Sequence, residues 1–177
     1  SAFLYEDVHF EKLSICLRQE IEFFGNHHLM GNISGNHDMP RFISYAGEDL
    51  WTNQNAEYEG WNRYITVKNP IGYKKLAMLL AFNSTIPGLP IIYYGDEIGM
   101  VGAGDDPNKR LAMYWNDGDM TTQPPGVTRL EYAYPCVDDQ LADPASLLNY
   151  CKAVNHARLT TALIARGENS FLHSDKN

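Results

Sequence analysis

The 177 residues are 44% hydrophobic and 20% charged, enough apolar content for a folded core and too much for a disordered chain. The 22 acidic residues outweigh the 14 basic ones to a formal net charge of −8, which offers phosphates no basic patch and removes nucleic acid from the expected partners. No apolar run reaches the roughly 18 residues of a membrane helix, so no membrane partner is expected, and nothing at the N-terminus follows a signal-peptide pattern.

In chain order, the first periodic stretch is EKLSICLRQEIEFFG, with apolar residues at Leu13, Ile15, Cys16, Leu17, Ile21, Phe23 and Phe24 before Gly25. It predicts an amphipathic helix over about 11–24 with a glycine terminator. HLMGNIS, short and apolar, predicts a buried strand ending near Ser34. NPIGYKKLAMLLAFNSTI predicts a second helix, with Asn69 as N-cap and Pro70 at the first helical position. PGLPIIYYGDEIGM combines a Pro-Gly break, an apolar and aromatic run and an acidic, glycine-rich exit, which predicts a strand buried on both faces that opens into a loop. Residues 99–144 are long for a structureless connection and are expected to be functional or partly structured. DPASLLNYCKAVNHARLTTALIARG predicts a last helix capped by Asp143, with Pro144 in its first turn and Gly167 at its end. Three scattered cysteines do not make a disulfide framework, and Cys16 and Cys151 are expected to be buried, inert thiols.

Strands alternating with helices, without a fixed-period repeat, predict parallel α/β architecture. Such folds bind ligands at the C-terminal ends of their strands, where both chemically dense loops of this chain fall. In SGNHDMPRF, the Asp38 carboxylate and the His37 imidazole suit the vicinal hydroxyls of a polyhydroxylated ligand. The same Asn36-His37-Asp38 run can equally form a turn that satisfies its own backbone. A metal site would need His27 and His28 as well, and these precede the strand at its opposite end. In GAGDDPNKR, Asp106 and Arg110 can chelate sugar hydroxyls from two sides or form a solvated ion pair. Trp51, Tyr58, Trp61 and Tyr64 offer a platform for a pyranose ring, although packing that holds a long loop together is the favoured reading.

Together these stretches resemble the α-amylase superfamily of retaining glycoside hydrolases and transglycosylases. NISGNHDMPRF is similar to the family's last catalytic motif, after the seventh strand of a (β/α)8 barrel. TIPGLPIIYYGDEIGMVGAGDDPNKRLAMYW resembles the eighth strand and its loop, and DQLADPASLLNYCKAVNHARLTTALIARGE resembles the final barrel helix. The resemblance implies a C-terminal portion of a (β/α)8 TIM barrel over residues 1–168, incomplete by itself, with 169–177 starting a linker or a C-terminal β domain. It implies that Asp38 is the carboxylate that stabilises the cationic transition state. It implies that His37, Asn36 and Arg41 contact the sugar, and that Asp106 and Arg110 bind units further toward the non-reducing end.

Retaining hydrolysis needs a nucleophile and a general acid/base about 5–5.5 Å apart. The family's motifs for both do not occur in this sequence, and Glu6, which precedes the first helix, is not a substitute. The expected protein is therefore part of a hydrolase of α-glucosidic bonds, with α-1,4 linkages favoured. Its expected partners are an α-glucan or oligosaccharide and the remainder of the barrel. The alternatives are a transglycosylase, a sucrose- or trehalose-converting member, or a non-catalytic binding or scaffold subunit. No cofactor is expected in this chain, calcium is allowed in the parent enzyme, and substrate size favours an extracellular or cell-surface location over a cytoplasmic one.

Overall fold

The computed structural model describes residues 2–5, 10–27, 29–104, 106–116, 119–120, 122–127 and 132–170. Glu6, His28, Asp105 and residues 171–177 of the expected terminal segment lie outside these. Helix α1 spans Glu11–Phe24, and Gly25, at φ 83°, donates its N–H to the Ile21 carbonyl, the expected glycine stop. Strand β1 is Gly31–Ile33, followed by the short helices α2, Phe42–Ala46, and α3, Ala56–Asn62. Helix α4 spans Ile71–Thr85 and leads into β2, Leu89–Ile91. Asn69 Oδ1 accepts the Ile71 N–H at 3.0 Å, while Pro70, expected at the first helical position, has helical dihedrals and stands one residue earlier as the N-cap.

Strands β1 and β2 pair in parallel, with Gly31 opposite Leu89 and Ile33 opposite Ile91. Helix α4 crosses between them and packs on both, which is the βαβ arrangement expected from the alternation. Carbonyls at its C-terminal end and in the turn that follows are held from two sides. Asn32, buried on β1, donates to Asn83 O at 3.2 Å and Pro87 O at 2.8 Å, while Arg158 donates to Ser84 O at 2.7 Å and Gly88 O at 2.6 Å.

The segment after β2 is largely structured. It contains a 3-10 turn at Asp96–Ile98, the one-turn helix α5, Asp106–Lys109, and an antiparallel pair of β3, Tyr114–Asn116, with β4, Asp119–Met120. A short helix α6, Val137–Ala142, precedes the expected last helix, which is two pieces, α7 at Leu147–Thr160 and α8 at Ala162–Arg166. Asp143 caps only the turn before α7, through the Ala145 N–H, and the α7 cap is Ser146, whose hydroxyl accepts the Asn149 N–H at 3.2 Å. Pro144 lies in that turn rather than in the helix.

The core does not lie where the sequence places it. Ile98, Met100, Val101, Ala103 and Leu111, all from the glycine-rich segment after β2, are fully buried with Ile43, Leu50, Leu76 and Leu80. Gly95, at φ 86°, turns the chain back beneath this cluster, and a Cβ there would lie 2.6 Å from Met100. The strands are short and half open, with Ile33 54%, Leu89 49% and Ile91 41% exposed. Each has one laddered neighbour among the described residues, so one edge and one face meet solvent. For the same reason α1 buries no residue and Cys16 is exposed, against the expected buried thiol. Cys151 is buried as expected, and burial, aided by the nearby Glu97 and Asp96 carboxylates, pushes its thiol up to about 12.

These open faces predict that the isolated 177-residue chain self-associates. Size-exclusion chromatography with light scattering is expected to give species larger than a monomer. A monodisperse monomer would show that the strand edges are protected.

Candidate active site

In the loop that leaves β1, a Cβ at Gly35 would lie 2.9 Å from Asp96 Oδ2, so the chain passes close over that carboxylate. Asn36 Oδ1 then accepts the Asp38 N–H at 2.8 Å. This is the local turn that the sequence offered as the alternative to a ligand site, and it leaves the His37 and Asp38 side chains open. His37 Nε2 lies 3.2 Å from Asp38 Oδ1, with the side chains 58% and 70% exposed. An imidazole and a carboxylate are thus presented together to whatever occupies this end of the sheet.

The second loop brings α5 to the same end. Asp106 Oδ2 lies 3.3 Å from Arg110 Nη2, the i,i+4 pair expected from their spacing, and both side chains are substantially exposed. Lys109 joins the two loops. Its buried ammonium donates to the Asp38 carbonyl at 3.2 Å and lies 3.4 Å from Asp106 Oδ1. The Asp38 turn and α5, which carries Asp106, therefore meet through Lys109 in the loops that follow the two parallel strands.

Arg41 departs from the expectation of a sugar contact. It is 2% exposed, and its guanidinium pairs with Asp96 Oδ1 at 2.8 Å, donates to Tyr94 O at 2.6 Å and Lys109 O at 3.2 Å, and lies over the Tyr93 ring at 4.1 Å. Its side chain clamps the loop after β1 onto the segment after β2 and has no surface for a ligand. Burial pushes the Asp96 carboxyl up to about 6 against the pull of Arg41, and the neighbouring Glu97 charge adds to the rise. A second buried carboxylate, Asp49, behaves oppositely. Burial raises it, but hydrogen bonds from Lys68 and the Thr66 N–H, with the Arg63 charge, outweigh that and hold it below the ordinary range.

Trp51, Tyr58, Trp61 and Tyr64 are between 48% and 65% exposed, so each presents part of its ring to solvent. Trp61 and Tyr64 line an open cleft of about 400 Å³ whose other wall includes Pro107 and Asn108 of α5. No group of three or more His, Cys, Asp or Glu side chains able to hold a metal occurs among the described residues, and no described helix is long and apolar enough to cross a membrane.

Sequence reasoning missed Lys109 and Asp96. Lys109 stands three residues after Asp106, a spacing that brings two side chains onto one helix face, so that pair was legible. Its contact with Asp38, 71 residues away, and the pairing of Arg41 with Asp96, 55 residues apart, were not.

Over 85 residues the chain is 35% identical to a cyclomaltodextrinase of Geobacillus thermopakistaniensis, covering 48% of this chain and 10% of that protein. It is 26% identical over 155 residues to a 4-α-glucanotransferase of Thermotoga maritima, covering 84% of this chain and 30% of the relative. The solved structure of Eubacterium rectale Amy13B superposes with a TM-score of 0.68 at 30% identity, over 92% of this chain and 28% of that one. The chain thus spans less than a third of each, and its fold is a partial α/β piece of their TIM barrel. The family model described as the α-amylase catalytic domain matches residues 4–167, nearly the whole length, and the chain belongs to that family.

Proposed function

We propose that this chain is the part of an α-glucan-cleaving enzyme that carries barrel strands seven and eight, and that it works with the remainder of the barrel. The observation that carries the reading is the meeting of the Asp38 turn, with His37 beside it, and α5, with Asp106 paired to Arg110, in the loops that follow the parallel strands. In this reading Asp38 stabilises the positive charge that develops on the sugar ring as the glycosidic bond breaks. His37 and Asn36 contact the same sugar. Asp106 and Arg110 hold a unit further along the chain, the carboxylate accepting and the guanidinium donating hydrogen bonds to hydroxyls. The nucleophile and the acid/base come from the remainder of the barrel, so the 177 residues alone cleave no starch. The favoured bond is α-1,4, and a polymeric substrate favours an extracellular or cell-surface enzyme.

A second reading is transfer to a sugar acceptor rather than to water, favoured by the long match to a 4-α-glucanotransferase. Products formed by the complete protein from an α-1,4-linked glucose oligomer separate the two. Chains longer than the substrate mean transfer, and shorter chains released as the α-anomer mean retaining hydrolysis. Absence of any cleavage in the complete protein would sink the functional reading and favour a non-catalytic binding subunit.

One substitution tests the outer sugar contact separately. Arg110→Ala is expected to raise KM for long oligosaccharides about tenfold, the worth of one charge-assisted hydrogen bond. Because Arg110 is exposed, stability should change by no more than about 0.5 kcal/mol. An unchanged KM would return the Asp106–Arg110 pair to a solvated ion pair.

A further inference from the structure

We infer that Lys109 is a positioning residue that couples occupancy of the Asp106–Arg110 sugar contact to the placement of Asp38, an inference that rests on the α-glucan reading above. Lys109 is 4% exposed, although it stands on a one-turn helix beside the exposed Asp106 and Arg110. A buried ammonium persists only where partners replace its hydration. Its partners here are the backbone carbonyl of Asp38, at 3.2 Å, and the carboxylate of Asp106, at 3.4 Å. One charge therefore touches the residue proposed to stabilise the transition state and the residue proposed to bind the distant sugar.

The backbone of Asp38 is held at both of its polar groups. Asn36 Oδ1 takes its N–H and Lys109 Nζ donates to its carbonyl, which fixes the direction of the Cα–Cβ bond while the carboxylate stays open to a ligand. The grip is reciprocal, because Arg41, three residues after Asp38, donates from Nε to the Lys109 carbonyl. The Lys109 side chain holds the first loop and its backbone is held by that loop, so α5 and the Asp38 turn are stitched to each other. A sugar that draws on the Asp106 carboxylate competes with Lys109 for the same acceptor, and the ammonium is then free to lean further onto the Asp38 carbonyl. Part of the binding of a remote unit is thereby converted into placement of the carboxylate at the reacting sugar, a use of remote binding energy that raises kcat.

The test compares the complete protein with its Lys109→Met and Lys109→Arg variants, using maltotriose and maltoheptaose as short and long α-1,4-linked substrates. Wild type should turn over the long substrate with the higher kcat. Lys109→Met should lower kcat on the long substrate by between about tenfold and a hundredfold, change KM little, and erase the advantage of the long substrate over the short one. Lys109→Arg, which keeps the cation and its donors, should recover part of that advantage. If Lys109→Met does not fold, Lys109→Gln, one atom shorter, which removes the charge and retains an N–H donor, is read in the same way. An active wild type whose folded variant keeps both its kcat and its chain-length dependence overturns the inference and leaves Lys109 a packing residue. A wild type inactive on both substrates fails the α-glucan reading instead, so the two failures are distinct.

Discussion

Asp38→Asn in the complete protein is expected to lower kcat by between about 10² and 10³, or about 2.7–4 kcal/mol of transition-state stabilisation, with a smaller change in KM. The substitution keeps shape and removes charge. The Asp38 backbone contacts, to Asn36 Oδ1 and Lys109 Nζ, do not involve the carboxylate, so the turn should persist. Its side chain lies near His37 Nε2 and is 70% exposed, so little folding energy is at stake. The effect on rate is large because a carboxylate about 4 Å from a developing unit charge is worth about 4 kcal/mol at an effective dielectric of 20, but about 1 kcal/mol in water. A neutral amide supplies only its dipole. Steady-state kinetics beside circular dichroism checks the prediction, and near-wild-type turnover in a folded variant would make Asp38 a turn residue and nothing more.

Arg41→Ala acts on stability rather than on chemistry. Removing one partner of a buried ion pair is expected to cost about 3–5 kcal/mol at neutral pH, because buried Asp96 is left without its cation. The loss should depend on pH, with a definite sign. Asp96 is raised to about 6 in the folded protein, above the ordinary carboxylate value, so its contribution favours the fold most below that ordinary value and fades as pH rises through about 6. Without Arg41 the opposing pull disappears and the carboxyl rises further. At about pH 5 it can fold protonated and neutral, whereas at about pH 8 it must be buried as an anion or forced to take a proton. Denaturant unfolding of the complete protein should therefore show a larger destabilisation at the higher pH. An equal loss at both would mean that cavity formation and the lost hydrogen bonds to Tyr94 and Lys109, not the stranded carboxylate, dominate. Asp49 should not contribute to this contrast, since its carboxyl is held below the ordinary range and stays ionised at both pH values.

How much of this was legible beforehand depended on the range of the physics involved. The sequence by itself determined the elements whose causes are local. Apolar spacing and Gly25 produced α1, Asn69 and Pro70 started α4, and the apolar run after Gly88 marked β2. It also determined that the Asn-His-Asp and Asp-Pro-Asn-Lys-Arg loops follow parallel strands, because alternation of strand and helix leaves few topologies. Only the tertiary structure decided which of the conspicuous residues face a ligand. Arg41 and Asp38 stand three positions apart in one motif, yet one is sealed against Asp96 and Tyr93 and the other is open. Burial of a charge depends on a partner 55 residues away, and no local pattern encodes that distance. The same holds for the glycine-rich segment after β2, whose composition reads as loop but whose Ile98, Met100 and Val101 form the core once α2 and α4 close over them. Periodicity reports which face of an element is apolar. Which other element covers that face, and whether any does, is set by long-range packing: Cys16 and Ile33 stay exposed while Lys109 is buried between two carboxylate-bearing loops.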